Sequence, residues 1–290
     1  MSEALGIVAI SAPFPGVSRV LEEGEKLGLW KFVRLGGQVT IPPARAYILG
    51  AWHSEYKMLL GNLGGKLGML WTSSTGEMEM EPIEVQYLFQ ALADPRIEFI
   101  WFGDESLARA FPQKGFHASY PLATDLKIPL EGVEKRNAIA LFNPGGLKKN
   151  NLNQLLAVAL FQRDQPGWVL ETNLGAFRGV MDTLGIKYHL HPWLPREQYH
   201  QILASCRVNL AVSWAETFNY QVAEAGLLGV PSVVSPTVPL PGFRVQDPND
   251  PLNIALVLHN PPSIFKDIRE RVLKVAEHNN QLLAVALAHL

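Results

Sequence analysis

Short apolar runs alternate with longer amphipathic segments along most of the chain. Apolar runs of about four to eight residues bounded by Gly, Pro or polar residues are typical of strands buried in a parallel sheet, whereas segments with apolar residues at helical spacing predict helices. Such an alternation predicts an α/β fold in which helices cover both faces of a parallel sheet. In the second half of the chain, strands are predicted at 138–142, 168–172, 187–190, 208–212 and 231–235.

The first half of the chain shows the same alternation. Thr72 to Gly76 is predicted as a polar loop, and Glu77, Glu79 and Glu81 as a solvated acidic run beyond it. Strands are predicted at 5–11, 46–50, 67–71 and 98–102, and helices from about residue 17, at 82–93 and at 104–111.

The apolar stripes near the carboxyl terminus predict three helices, at 251–259, 262–278 and 281–290, the last two separated by a break at His278-Asn-Asn. A charged stretch containing Pro129 and Gly132 is predicted as a linker. These signals divide the chain into a first domain, 1–128, a second domain, 137–262, and a helical segment, 263–290.

Composition describes a globular protein with generous cores, since 48% of the 290 residues are hydrophobic and 18% are charged. The 25 basic and 27 acidic side chains give a net charge of −2, which does not favour nucleic acid or an anionic membrane as a partner. Cys206 is the single cysteine, so an internal disulfide is excluded and a buried structural thiol is expected. The first residues lack a signal-peptide pattern, and we expect a cytoplasmic protein.

Two glutamates, Glu216 and Glu224, are separated by seven residues across the turn that follows the predicted strand 208–212. Loops at the carboxyl ends of strands are where open α/β sheets bind ligands. Between the two carboxylates, the amides around Thr217, Phe218, Asn219 and Tyr220 begin the next helix, and a helix N-terminus favours a phosphate. In this arrangement one carboxylate binds sugar hydroxyls, the helix amides bind a diphosphate and the other carboxylate binds a ribose diol. Such a set of groups suits a sugar nucleotide. The alternative interpretation is that both glutamates are solvated helix residues that bind no ligand.

The Glu-x7-Glu spacing followed by Ala-Gly-x-x-Gly-Val-Pro-Ser-Val-Val resembles the carboxyl-terminal half of retaining GT-B glycosyltransferases of the family-4 type. The resemblance implies the GT-B architecture, two Rossmann-like domains with parallel sheets facing a central cleft, with the helical segment 263–290 crossing back to the first domain. It implies a nucleotide-sugar donor, UDP- or GDP-linked, and no metal or other cofactor. By motif match, Glu216 lies against the donor sugar and Glu224 holds the ribose.

Two loops resemble the phosphate-binding segments of this family. In 141–150, Lys148 matches the Lys of Val-Gly-Arg-x4-Lys-Gly, a residue that clamps the leaving diphosphate, and Asn143 stands in place of the Arg. An amide offers only neutral hydrogen bonds where a guanidinium offers a permanent charge, and Lys149 could compensate. Gly16 resembles part of the family's Gly-Gly-Val-Glu-Arg loop, although a plain strand-to-helix turn is equally compatible.

The segment 189–199 resembles the family's strand and loop that hold the base, so Pro192 and Trp193 are candidates for packing on it. His189 and His191 alternate on a strand and share a face, as a metal pair would. No third ligand accompanies them at a suitable spacing, and buried, hydrogen-bonded histidines are the preferred interpretation. An Asp-x-Asp motif is absent, which disfavours the metal-dependent GT-A plan.

The acceptor site belongs to the first domain, where the resemblance is loose. Many family members have a His in the loop that corresponds to 72–75, whereas this chain has hydroxyls there, including Ser73 and Ser74. His53, near a predicted strand end, could substitute for that His. The acceptor itself is not indicated by the sequence.

These observations predict a glycosyltransferase that moves a sugar from a nucleotide-sugar donor with retention of configuration. Asn143, Asn219 in place of a family Gly, and the hydroxyl loop also fit a degenerate GT-B protein that binds a nucleotide or sugar without turnover. A GT-B enzyme of other chemistry, such as an epimerase, would need an acid/base set in the first domain that the sequence does not show.

Overall fold

The computed structural model describes residues 5–12, 15–36, 38–50, 61, 63–126, 133–259 and 267–289. The chain forms two units, one of Met1–Ala123 with Ala276–Leu290 and one of Thr124–Val275. Each unit contains a sheet in which six strands pair among the described residues, and every one of these pairs is parallel. The predicted α/β fold class is confirmed.

The sheet of the first unit has the strand order β2-β1-β3-β4-β5-β6. Its central strands are apolar on both faces, as strands covered on both sides must be. The strands are β1 (Leu5–Ser11), β2 (Lys31–Arg34), β3 (Ala44–Leu49), β4 (Lys66–Trp71), β5 (Phe99–Phe102) and β6 (Gly115–His117). The helices are α1 (Pro15–Lys26), α2 (Thr75–Met80), α3 (Pro82–Ala93) and α4 (Glu105–Ala110).

The sheet of the second unit has the order β12-β11-β10-β7-β8-β9. Its strands are β7 (Arg136–Leu141), β8 (Val169–Thr172), β9 (Tyr188–Leu190), β10 (Cys206–Ala211), β11 (Ser232–Val234) and β12 (Phe243–Arg244). Its helices are α5 (Asn151–Asp164), α6 (Arg178–Thr183), α7 (Arg196–Ser205), α8 (Tyr220–Leu227) and α9 (Pro251–His259). The last helix of the chain, α10 (Ile268–Ala288), contributes residues to both units.

Strand β7 shows why the second sheet is covered on both faces. Ile139 and Leu141 belong to one buried cluster, whereas Ala138 and Ala140 belong to another. Successive side chains of a strand point to opposite faces, so both faces of β7 bury apolar residues. Cys206, the first residue of β10, is fully buried in the second cluster, as expected for a structural thiol.

The predicted acidic run beyond residue 76 is exposed at Glu79 and Glu81, as expected, but its loop conformation and the exposure of Glu77 are wrong. Residues 75–80 form α2, Ser74 caps it by accepting a hydrogen bond from the Glu77 amide, and the Glu77 carboxylate accepts one from the Ser74 amide in return. This capping box buries Glu77, which is 7% exposed. Ser-x-x-Glu is the sequence signal that could have predicted it.

The predicted break at His278-Asn-Asn is also wrong, because α10 runs through it without interruption. Asn279 is buried, and the Asn280 side chain pairs with the backbone of Leu122, accepting from its N–H and donating to its carbonyl at 3.0 Å each. Asn residues lower the stability of an isolated helix. Here the burial of Asn279 and the hydrogen bonds of Asn280 accommodate both residues within α10.

Candidate functional site

The two loops that carry the predicted phosphate and sugar residues lie next to each other in the second unit. They follow β7 and β10, which are paired neighbours in the sheet. From β7 the chain continues to β8 and β9 on one side, whereas β10 starts the opposite side. The point between β7 and β10 is therefore a topological switch point, the place where open parallel sheets bind ligands at their carboxyl ends.

Across this switch point, Lys149 from the first loop forms an ion pair with Glu216 from the second, Nζ against Oε1. Both side chains are largely buried, with 15% and 6% of their surface exposed. The Asn219 side-chain amide donates to the same carboxylate oxygen at 3.3 Å. Lys148 contributes its backbone here, since its carbonyl accepts a hydrogen bond from the Trp214 amide at 2.9 Å.

Asn143, which stands where the family has an Arg, uses its side chain to fold its own loop. Its Nδ2 donates to Asn151 at 2.8 Å, and its Oδ1 accepts from the Gly145 amide at 2.9 Å. Its backbone amide donates to Asn173 on the neighbouring β8 connection at 3.1 Å. Asn143 thus fixes the turn that leads to Lys149.

The loop then enters α5 through Asn150, which has a φ of 52°. Among the described residues, Asn150 is the only non-glycine residue in the left-handed conformation. Asn tolerates this conformation better than most residues because its short side chain bonds locally. The Asn150 side chain forms two hydrogen bonds: its Nδ2 donates to the Pro248 carbonyl at 2.6 Å, and its Oδ1 accepts from the Asn153 side chain at 2.8 Å. The turn after Lys149 is therefore anchored on two sides.

Helix α8 begins directly after the second loop. Asn219 is its N-cap, and the side-chain oxygen accepts from the Val222 amide at 3.1 Å. Asn and Gly are both acceptable N-caps, so the exchange from a family Gly is compatible with the helix start. Thr217 and Tyr220 are half-buried beside it, and Phe218 is buried with its ring 4.9 Å from that of Tyr220.

Glu224, the second glutamate of the motif, lies on α8 and is 6% exposed. Two basic side chains from α7 approach its Oε1: Arg196 at 3.3 Å and His200 at 3.1 Å. The His200 contact lies within ion-pair distance but lacks hydrogen-bond geometry. The predicted ribose carboxylate is thus held in place by α7, a contact that the spacing of the two glutamates does not reveal.

The two strand histidines meet a carboxylate that the sequence analysis did not connect with them. Glu171 on β8 is buried and pairs with His189 at 3.0 Å and with His191 at 2.6 Å, while Arg136 lies 2.9 Å away. Burial raises the pKa of Glu171, but the hydrogen bonds from His191 and His189 and the charge of Arg136 outweigh it, so the net pKa is lowered.

The expectation of buried histidines is therefore wrong for His189, whose side chain is 59% exposed because β9 is an edge strand. His191 is 21% exposed at the end of β9. Pro192 and Trp193 follow it, and Trp193 is exposed over 70% of its surface. Within the described residues, no group of three or more His, Cys, Asp or Glu side chains could hold a metal ion.

The candidates in the first unit belong to different segments of the chain. Gly16 lies in the first turn of α1, which begins at Pro15, and has open space around its Cα. Ser73 is half-buried ahead of α2, and the Ser74 hydroxyl is engaged as the cap of that helix. His53 lies outside the described residues.

The helices described in the structure include none that is long and apolar enough to cross a membrane.

No protein-family model matches the chain, and no curated protein sequence matches it. Solved structures do match. An α,α-trehalose-phosphate synthase (UDP-forming) from Burkholderia vietnamiensis superposes with a TM-score of 0.68 at 10% identity, over 98% of this chain and all of that one. A trehalose-6-phosphate synthase studied for glycosyl transfer with retention gives 0.62 at 12% identity, over 95% and 78% of the two chains.

The pneumococcal O-GlcNAc transferase GtfA, solved with UDP and GlcNAc, matches with a TM-score of 0.62 at 12% identity, over 84% of this chain and 56% of that one. Identities this low establish the fold and leave the activity to be argued from the site. The neighbours are GT-B glycosyltransferases, and the chain has their fold, with two parallel sheets in two Rossmann-like units.

Proposed function

We propose that this protein is a retaining glycosyltransferase, similar to the family-4 type, that uses a UDP- or GDP-linked sugar as its donor and needs no metal ion. The observation that carries the proposal is the buried Lys149–Glu216 pair at the switch point, beside the N-terminus of α8. A cation and a helix N-terminus together favour a phosphate group, and a carboxylate next to them suits sugar hydroxyls.

In this proposal Lys149 takes the part of the family's phosphate-binding lysine. The motif match gave that part to Lys148, but the family pattern has Gly after its Lys, and Asn150 adopts the left-handed conformation that Gly favours. Lys149-Asn150 therefore fits the Lys-Gly step in backbone conformation. Lys149 is also the lysine whose ammonium contacts Glu216.

Donor binding would exchange the partners of this pair. The diphosphate would take the Lys149 ammonium, and the donor sugar hydroxyls would donate to the Glu216 carboxylate. As the bond between sugar and phosphate breaks, negative charge grows on the leaving phosphate, and a cation already held in place stabilises it. In a same-face transfer that phosphate can itself accept the acceptor's proton, so retention needs no further base in the first unit.

The remaining candidates bind the nucleoside. Glu224 would accept from the two ribose hydroxyls, held in position by Arg196 and His200. The exposed Trp193 ring, with Pro192 beside it, offers an apolar surface for the base. The UDP bound by GtfA and formed by the Burkholderia synthase supports a uracil nucleotide as the first one to test. In the first unit, Gly16 stays a candidate for the donor phosphate, and Ser73, Ser74 and His53 stay the candidates for the acceptor side.

The test is a binding panel followed by donor turnover. Thermal shift with UDP, GDP, ADP and their sugar conjugates should single out one base, since a ligand at 100 times its dissociation constant adds about 2.7 kcal/mol of stability. With Glu216→Gln, binding of the bare nucleoside diphosphate should persist while donor turnover falls sharply. Binding without turnover in the wild-type protein would favour the degenerate GT-B alternative. No stabilisation by any nucleotide would refute the proposal.

A further inference from the structure

Gln154 is a buried polar residue that connects the two loops of the candidate site. It lies in the first turn of α5 and is 1% exposed. Its Oε1 accepts a hydrogen bond from the Val212 amide at 2.9 Å, and its Nε2 donates to the Lys149 carbonyl at 2.7 Å. One side-chain amide therefore joins the loop after β10 to the loop after β7.

The first of these bonds serves a backbone group just beyond the end of a strand. Strand β10 ends at Ala211 and its neighbour β7 ends at Leu141, so the Val212 amide has passed the last ladder position. A buried backbone N–H without a partner is costly, and a glutamine supplies both the acceptor it needs and a donor for a second group. Next to this connection, the Trp214 amide donates to the Lys148 carbonyl at 2.9 Å.

Hydrogen bonds at the peptide groups of 148, 149, 212 and 214 thus join the two loops that carry Lys149 and Glu216. The side chain of Lys149 is long and rotamer-rich, and its ammonium can hold one position only if its own backbone is fixed relative to Glu216. Gln154 binds that backbone directly.

We propose that Gln154 is a positioning residue: it sets the Lys149 backbone so that the Lys149 ammonium meets Glu216 across the switch point. The effect of Gln154 on catalysis rests on the proposed glycosyl transfer, whereas its effect on the position of Lys149 does not. Gln154 itself touches neither donor nor acceptor. It acts through the two loops.

The chain offers a matched control in Gln162, on the same helix. Gln162 is also buried, and it also joins two backbone groups, donating to the Lys187 carbonyl at 3.0 Å and accepting from the Lys187 amide at 2.8 Å. Those contacts serve the start of β9 and not the two loops. Gln154→Met and Gln162→Met therefore remove the same kind of bonding from the same helix, and only the first affects the candidate site.

The first measurement is the rate at which an amine reagent labels Lys149 relative to Lys148, read by mass spectrometry of the folded protein. In Gln154→Met, loosening of the loop should raise this ratio about tenfold, while Gln162→Met should leave it at the wild-type value. Gln154→Glu is a second variant. Its carboxylate still accepts from the Val212 amide but cannot donate to the Lys149 carbonyl, so it should raise the labelling ratio as well. An unchanged ratio in Gln154→Met and Gln154→Glu, or an equal rise in Gln162→Met, would overturn the proposal.

The second measurement separates this proposal from the proposed function. Donor hydrolysis is compared in Gln154→Met, Lys149→Met and the double variant, with kcat and KM determined separately. A misplaced cation should lower kcat by about a hundredfold with little change in KM. Because Gln154 acts through Lys149, adding Gln154→Met to Lys149→Met should lower kcat no further. If the two losses of kcat multiply in the double variant, the positioning role is refuted. If the wild-type protein turns over no donor, the proposed function fails, and the labelling ratio alone decides the role of Gln154.

Discussion

Replacing Lys149 by Met should destabilise the protein through the glutamate it leaves behind. Glu216 has 6% of its side chain exposed, so its charge is poorly solvated once the ammonium is gone. Removing one partner of a buried ion pair typically costs about 3–5 kcal/mol. The Asn219 amide would still donate to the same oxygen, which favours the lower end, about 3 kcal/mol.

For a unit the size of the second one, this loss corresponds to a decrease in Tm of about 6–12 °C. The free energy of unfolding is measured by urea denaturation followed by circular dichroism, with Lys148→Met as the neighbouring control. That control should cost less than Lys149→Met, because Lys149 is the lysine whose ammonium faces the buried Glu216 carboxylate. Adding Glu216→Gln to Lys149→Met removes the unpaired charge and should recover most of the loss.

If Lys149→Met costs no more than Lys148→Met, or if Glu216→Gln deepens the loss instead of relieving it, the pair does not carry the buried charge that the structure assigns to it. The proposed phosphate site would then lose its main support.

Three further predictions concern other residues. Glu224→Ala should weaken nucleotide binding by about 1.5–3 kcal/mol in calorimetric titration, because a ribose diol would lose a charged acceptor, and an unchanged Kd would remove Glu224 from the site. Burial raises the pKa of Cys206 to about 12, so iodoacetamide at pH 8 should modify it only after unfolding; alkylation of the folded protein would contradict its burial. The pKa of Glu171 is lowered on folding, since hydrogen bonds from His191 and His189 outweigh the effect of burial. Its contribution to stability is therefore complete above the unfolded pKa of about 4.3 and is lost as the pH falls through the lower folded value. Between pH 5 and pH 3 the wild-type protein should lose more unfolding free energy than Glu171→Gln, and parallel urea midpoints in the two proteins would refute this.

The alternation of apolar runs and amphipathic segments was sufficient to predict the α/β fold, because buried parallel strands such as β7 are apolar on both faces. It failed where tertiary contacts decide the outcome. Strand β12 has two residues at a sheet edge, too few to produce a pattern. Helix α10 continues through Asn279 and Asn280 because the Asn280 amide pairs with the Leu122 backbone, a partner far away in sequence.

The same distinction applies to the candidate site. The spacing of Glu216 and Glu224 is local and could be recognised in the sequence, as could the start of the helix between them. The choice between two adjacent lysines could not, since it depends on the left-handed turn at Asn150 and on which ammonium crosses to the other loop. Gln154 carries no motif at all. Its position becomes apparent only when β7 and β10 lie side by side.

The central claim is that the second unit binds a nucleotide sugar and breaks the bond between sugar and phosphate with retention of configuration. The most direct test follows an α-linked donor, chosen by the binding panel, by proton NMR during incubation with the protein. We expect release of the nucleoside diphosphate with the α anomer as the first sugar formed, and loss of this release in Glu216→Gln. A bound donor that stays intact, or a β anomer formed first, would contradict it.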